Sequence, residues 1–198
     1  MAENNTLRVL SPLSGQAVAL DQVPDEVFSQ RVLGDGMAIV PTEGRIYSPV
    51  DGEISSVAET KHAYGFTSDD GLEVLVHFGL ETVALKGEGF TPRVKEGDKV
   101  KAGDLVAEVD LALLNGKGIN LITPVLVCDG ADGCAMEAAS GPVKPGDPVL
   151  TLTAEAAPEE APAPAEPARS QPVDTGRRLG VNFDFLQKLG KVLMTVIA

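Results

Sequence analysis

His62 and His77 are the only two imidazoles in this 198-residue chain. Neutral imidazole is a nucleophile near pH 7, and a hydrogen bond at its second nitrogen can fix its orientation. His77 sits in LEVLVHF, an apolar strand pattern in which a polar ring needs a reason. His62 sits in ETKHAYG, ahead of GFTSDDG, which reads as a turn. Two strands joined by that connection pair antiparallel and bring the rings close together. One ring can then take a phosphoryl group while the other donates to its oxygens. The same pair can instead hold a metal such as zinc, and a third reading keeps both as satisfied structural residues.

Other chemistries lack their residues. No G-x-S-x-G nucleophile elbow is present, and no G-x-x-x-x-G-K-[ST] phosphate loop. Cys128 and Cys134, in VCDGADGC, are too few for a disulfide framework and fit a reduced, cytosolic state. As a zinc pair they lack two further soft ligands nearby. The chain carries 29 acidic and 16 basic residues, a net charge of −13, which repels phosphate backbones and excludes nucleic acid as a partner. Partners with basic faces suit it better. Aromatics are 4% with no Trp, too few for a stacking platform.

The elements that must position the histidines are short strands. GRIYSPV, GEISSVA, LEVLVHF, DLVAEVD, PVLVC and PVLTLT are each bounded by Gly, Asp or Pro. Helical spacing is scarce, and PDEVFSQRVLG (24–34) offers at most a turn or two. The fold class is therefore all-β, an antiparallel β-sandwich or barrel-sandwich of many short strands. Repeats support it. V-K-x-G-D-x-V begins at Val94, Val100 and Val143, and S-P-x-x-G at Ser11 and Ser48. In the first repeat the valines flank a Gly-Asp turn, giving a strand end, a tight turn and a strand start.

Composition divides the chain. Residues 1–153 read as the folded domain, and residues 154–172 as a flexible linker of Ala, Pro and Glu. Residues 173–198 change character: Phe185, Leu186, Leu189, Val192, Leu193, Val196 and Ile197 recur at helical spacing, beside four basic residues. This predicts a short basic amphipathic C-terminal helix able to lie on a membrane or dock in a groove. The start, MAENNTLRVL, has no secretory pattern, and no run of about 20 apolar residues occurs. The expected location is cytoplasmic, with membrane association through the C-terminal helix as an option.

LVHFGLETVALKGEGF (75–90), with ETKHAYG (59–65), PTEGRIYSPVDGEI (41–54) and PDEVFSQRVLGDGMAIVP (24–41), resembles glucose-type enzyme IIA. That family is the phosphocarrier of the bacterial phosphoenolpyruvate-dependent sugar phosphotransferase system. The resemblance spans about residues 7–153. It implies that His77 accepts a phosphoryl group on Nε2 from the phosphocarrier HPr and hands it to a cysteine of a IIB domain. It implies that His62 hydrogen-bonds the phosphoryl oxygens and that Thr60 orients the His62 ring. The carbonyl of Gly79 would accept from His77 Nδ1, and Phe28, Val32, Leu33 and Val83 would form an apolar docking rim. Glu81 belongs to that partner surface, and stands where the family often has Asp. Lys61 replaces a familiar Asn, and Ala58 an aromatic of some members. The resemblance implies no required cofactor, with zinc at His62 and His77 an option at a partner interface.

The tail, FDFLQKLGKVLMTVIA, resembles the start of a glucose-family IIC membrane domain, and the linker resembles tethers of fused enzymes II. A IIC or membrane contact is expected there. The alternative function is a regulatory protein of the same fold that inhibits partners when unphosphorylated. The V-K-x-G-D-x-V turns are also similar to lipoyl and biotinyl domains and to lysostaphin-type zinc endopeptidases. The first two lack their D-K-A or M-K-M lysine, and the third lacks its H-x-H pair and further histidine.

Overall fold

The structure, a computed structural model, describes residues 6–154. Its first strands are β1 (Thr6–Leu10), β2 (Gly15–Ala19), β3 (Asp35–Pro41), β4 (Arg45–Tyr47), β5 (Gly52–Val57), β6 (Ala63–Ser68) and β7 (Glu73–His77). Then follow β8 (Phe90–Pro92), β9 (Lys99–Val100), β10 (Leu105–Val109), β11 (Thr123–Asp129), β12 (Cys134–Ala138), β13 (Gly141–Val143) and β14 (Pro148–Ala154). Among the described residues two short α-helices interrupt them, α1 (Glu26–Ser29) and α2 (Leu111–Gly116), with 3-10 turns at Leu20–Gln22 and Thr82–Leu85. The large sheet runs β13-β2-β3-β11-β7-β6-β5-β9, and two small sheets run β1-β14-β12 and β4-β10-β8. Among the described residues every strand pairing is antiparallel. The fold is the all-β sandwich expected.

Strand alternation decides which residues face the main core. Tyr64 pairs with Val76 and Phe66 with Val74, and these four join Val125 and Val127 of β11 in the core cluster. The intervening positions, Ala63 opposite His77 and Leu75 opposite Leu126, are also buried but lie outside that cluster. Their face needs its own cover. Leu20, Val23 and Phe28, from the segment that contains α1, are buried apolar residues that likewise stand outside the main cluster.

The repeats close the sandwich. In each V-K-x-G-D-x-V copy the Asp side chain accepts from the lysine N–H three residues earlier: Asp98 from Lys95 at 3.0 Å, Asp104 from Lys101 at 2.9 Å, Asp147 from Lys144 at 2.9 Å. Gly97, Gly103 and Gly146 take φ of 89°, 93° and 94°, which only glycine adopts freely. Each of these glycine N–H groups donates to a carbonyl across the fold, at Ile54, Ser48 and Ser11 respectively. Ser48 and Ser11 open the two S-P-x-x-G segments, which lock to each other by Leu10 N–H to Pro49 O and Tyr47 N–H to Pro12 O, both 2.8 Å. The tight turns are present, yet they do not make hairpins. β9 and β10 belong to different sheets, as do β13 and β14, so these turns are corners.

Other differences are small and have local causes. GFTS is strand rather than turn; β6 runs to Ser68 because its residues pair with both β5 and β7, leaving the reversal to residues 69–72. Helix α2 was not anticipated. It is one short run started by Asp110, whose carboxylate accepts from Leu113 N–H at 3.0 Å. β14 extends through Ala154, one residue into the expected linker. The rest of the linker and the C-terminal helix expected over 173–198 lie outside the described residues. Among the described residues no helix is long and apolar enough to cross a membrane.

Tyr64 is fully buried in the core, and its hydroxyl has no hydrogen-bond partner among the described residues. An unpartnered buried hydroxyl costs about 1–3 kcal/mol relative to a satisfied one. Tyr64→Phe should therefore unfold at higher urea, with a gain of about 1 kcal/mol. A loss of stability in that variant would mean that the hydroxyl has a partner.

Candidate functional site

The large sheet delivers both imidazoles to one place. His77 ends β7, and Ala63 opposite it begins β6, so His62 falls one step beyond the pair. Phe78 N–H donates to His62 O at 2.7 Å and continues the ladder past the strand ends. The hairpin between β5 and β6 turns at residues 58–61, closed by Lys61 N–H to Ala58 O at 2.8 Å. The ring centroids of His62 and His77 lie 4.7 Å apart with planes at 78°.

Each ring is held by its Nδ1. His62 Nδ1 is 2.5 Å from the Thr60 hydroxyl, and His77 Nδ1–H donates to Gly79 O at 2.8 Å. A carbonyl only accepts, so His77 carries its proton on Nδ1 and presents a lone pair at Nε2. That Nε2 is buried and has no hydrogen-bond partner among the described residues. The Thr60 hydroxyl can donate to His62 Nδ1, which leaves an N–H on His62 Nε2.

The loop after β7 is built to present the Gly79 carbonyl. Gly79 has φ of 71°, and a Cβ there would stand 2.9 Å from Thr82 Cγ2 and 3.0 Å from Asn120 O. Gly79 N–H donates to Thr123 Oγ1 at 3.3 Å, and Leu80 N–H donates to Asn120 O at 2.8 Å. The Thr82 hydroxyl donates back to Phe78 O at 2.8 Å. Lys61 and Glu81, beside the two histidine loops, adopt φ of 57° and 59°, strained for residues with side chains. Thr82 lies in the 75–90 motif, although no role was legible for it there, and its bond to Phe78 O is local. Asn120 and Thr123 had no sequence signal, since they act through tertiary hydrogen bonds made from otherwise ordinary positions.

Burial sets the charge state. His77 is 1% exposed and His62 4%. Burial pushes the His77 pKa down to about 4, against the opposing pull of the Gly79 carbonyl and the Asp25 charge. Burial first, and then neighbouring His77, push His62 down to about 3. Both rings are neutral at pH 7.

The rim residues scatter. Val32 is 66% exposed, Leu33 and Val83 are half-buried, and Glu81 is exposed. Phe28 corrects the expectation of an exposed rim. It is 1% exposed, its ring centroid is 5.0 Å from that of His77, and the planes meet at 55°. An aromatic ring set beside a buried imidazole keeps its apolar surface out of water, and α1 is placed to do this. Among the described residues no three His, Cys, Asp or Glu side chains gather as a metal site.

Fold and site together define an antiparallel β-sandwich that holds a neutral histidine with one free ring nitrogen beside a second imidazole. Residues 7–132 match the family described as phosphoenolpyruvate-dependent sugar phosphotransferase system, EIIA 1. A glucose-specific EIIA component of Haemophilus influenzae is 43% identical over 150 residues, which cover 75% of this chain and 90% of that one. One from Bacillus cereus is 47% identical over 126 residues, covering 64% and 76%. The solved glucose permease IIA of Mycoplasma capricolum superposes with a TM-score of 0.70 at 39% identity, covering 75% of this chain and 96% of that one. The chain belongs to the EIIA family of the phosphoenolpyruvate-dependent sugar phosphotransferase system. It is a phosphotransferase component with a phosphocarrier role in sugar transport.

Because both rings hold protons less readily in the fold than in the unfolded chain, the stability they contribute is complete above about pH 6.5. It is lost as pH falls toward 4 and 3. In proton NMR titrations the Cε1–H signals of both rings should stay fixed from pH 8 down to about pH 5. A midpoint near 6.5 for either ring would show that it is solvated rather than buried.

Proposed function

We propose that His77 takes a phosphoryl group at Nε2 from phospho-HPr and passes it to a cysteine of a IIB domain. The observation that carries this reading is the buried His77 Nε2, unpartnered and holding a lone pair, next to a second imidazole. In acceptance a P–N bond to His77 forms as the donor's P–N bond breaks. In onward transfer that bond breaks as a P–S bond to the cysteine forms. Such transfers need positioning and charge stabilisation more than covalent help from the protein.

His62 serves as the charge-stabilising group, its Nε2–H donating to the phosphoryl oxygens while the Thr60 hydroxyl holds the other side of the ring. Exposed Val32, with half-buried Leu33 and Val83, gives partners an apolar footing. The net charge of −13 favours partners with basic faces. The transfer needs no metal. A zinc ion held by His62 and His77 would need further ligands from a bound partner, since the described residues supply no third. A cytoplasmic location goes with this reading.

The test is intact-mass spectrometry at neutral to alkaline pH after mixing with phosphoenolpyruvate, enzyme I and HPr. The expected result is one acid-labile phosphate on the wild type and none on His77→Ala. His62→Ala should accept phosphate but pass it on about 10²-fold more slowly, the scale of losing one charge-stabilising donor. No phosphate on the wild type, with a working control carrier, would contradict the reading.

A further inference from the structure

We propose that Phe28 is a displaceable cover over His77, so that the acceptor nitrogen is closed in the resting protein and is uncovered by movement of the short α1 segment. The proposal rests on the reading of His77 as the phosphoryl acceptor. A tetrahedral phosphoryl group cannot reach a nitrogen without solvent exposure unless a neighbour moves. His77 is 1% exposed and its Nε2 is buried. Among the described residues the aromatic rings packed against it are those of His62 and Phe28.

These two neighbours differ in how they are held. His62 is pinned at both sides, by its carbonyl to Phe78 N–H and by its ring to Thr60, where β6 enters the large sheet. His77 itself ends a strand flanked by β6 and β11. Phe28 stands on a helix of four residues that belongs to no sheet. The main-chain bonds of this segment close on themselves: Ser29 N–H to Asp25 O, Gln30 N–H to Glu26 O, Arg31 N–H to Phe28 O, and Val32 N–H to Val27 O. Its cap is internal too, with Asp25 Oδ1 accepting from Val27 N–H at 2.9 Å. A helix this short has little stability of its own.

The chain leaves α1 through Arg31, at φ of 57°, and rejoins the large sheet at Gly34, which packs against the β11 backbone at Val127 and Cys128. Arg31 bonds Asp35 at 2.7 Å, but both side chains are about half exposed, so the pair restrains the segment weakly. What holds α1 itself down is the burial of Phe28, the one fully buried side chain of the helix, while Leu20 and Val23 anchor the segment before it. Short elements with few anchoring bonds to their surroundings are those that open locally, below the cost of global unfolding. Val32, the most exposed large apolar residue described, lies four residues from Phe28 on the same segment, so an apolar partner surface that engages it bears directly on the cover.

Diethyl pyrocarbonate, which acylates neutral imidazole, reads the cover without any phosphoryl chemistry. The full chain would be treated near pH 7 and the adduct on His77 followed by peptide mass spectrometry. In the wild type His77 should react about 100-fold more slowly than free imidazole, at a rate that stays constant across urea concentrations below the unfolding transition. Phe28→Ala should raise that rate about tenfold or more, and Phe28→Leu, which keeps an apolar anchor, by less. Far-ultraviolet circular dichroism of each variant confirms that the sheets are intact. A wild-type rate equal to that of free imidazole overturns the proposal, as does one that tracks global unfolding in urea. So does an unchanged rate in folded Phe28→Ala and Phe28→Leu. If His77 never accepts phosphate yet follows the expected reactivity, the phosphocarrier reading fails and the cover stands.

Discussion

Because a carbonyl oxygen can only accept, the 2.8 Å contact between Gly79 O and His77 Nδ1 puts the ring proton on Nδ1 and the lone pair on Nε2. The surroundings of that contact follow from it. The carbonyl can point at the ring because Gly79 takes a left-handed φ and lacks a Cβ that would meet Thr82 and Asn120. Thr123 and Asn120, from the entry to β11, hold the neighbouring N–H groups, so two adjacent strands of the large sheet fix one carbonyl. The corners built by the repeated Gly-Asp turns fold the small sheets against this frame. A rigid sheet sets the nucleophile, and a short helix outside every sheet lies over it.

Burial and proton position work together here. Desolvation keeps both imidazoles neutral, which a nucleophile needs, and it also removes the water that would otherwise satisfy Nε2. The same burial closes the site to its own chemistry, and this is the tension that α1 resolves. Phe28 shields an apolar face without any bond that must be broken to move it. An orphaned polar atom in the core, such as the Tyr64 hydroxyl, has no such use.

Much of the site was legible in the chain because it depends on local arithmetic. A strand, a turn of acidic and glycine residues and a second strand put His62 and His77 side by side whatever the rest of the fold does. The motif through residues 75–90 carried the resemblance that the family match supports. The fate of Phe28 was not legible. In VFSQRVL several apolar residues crowd one short stretch, and no periodicity separates the one that turns inward from those left outside. Thr123 was equally silent, since its bond to Gly79 spans forty-four residues and leaves no spacing pattern. The turns were readable as turns, but whether a turn makes a hairpin or a corner depends on which sheet each strand joins.

The measurement that goes most directly to the centre of this account is nitrogen-15 NMR of the imidazoles, recorded before and after phosphorylation. Before phosphorylation the His77 ring should show a protonated Nδ1 and a bare Nε2 at neutral pH. Afterwards the phosphorus should couple to Nε2, with Nδ1 still protonated. A bare Nδ1 at the start, or a phosphoryl group found on Nδ1, would contradict the claim that the Gly79 carbonyl selects the reacting nitrogen.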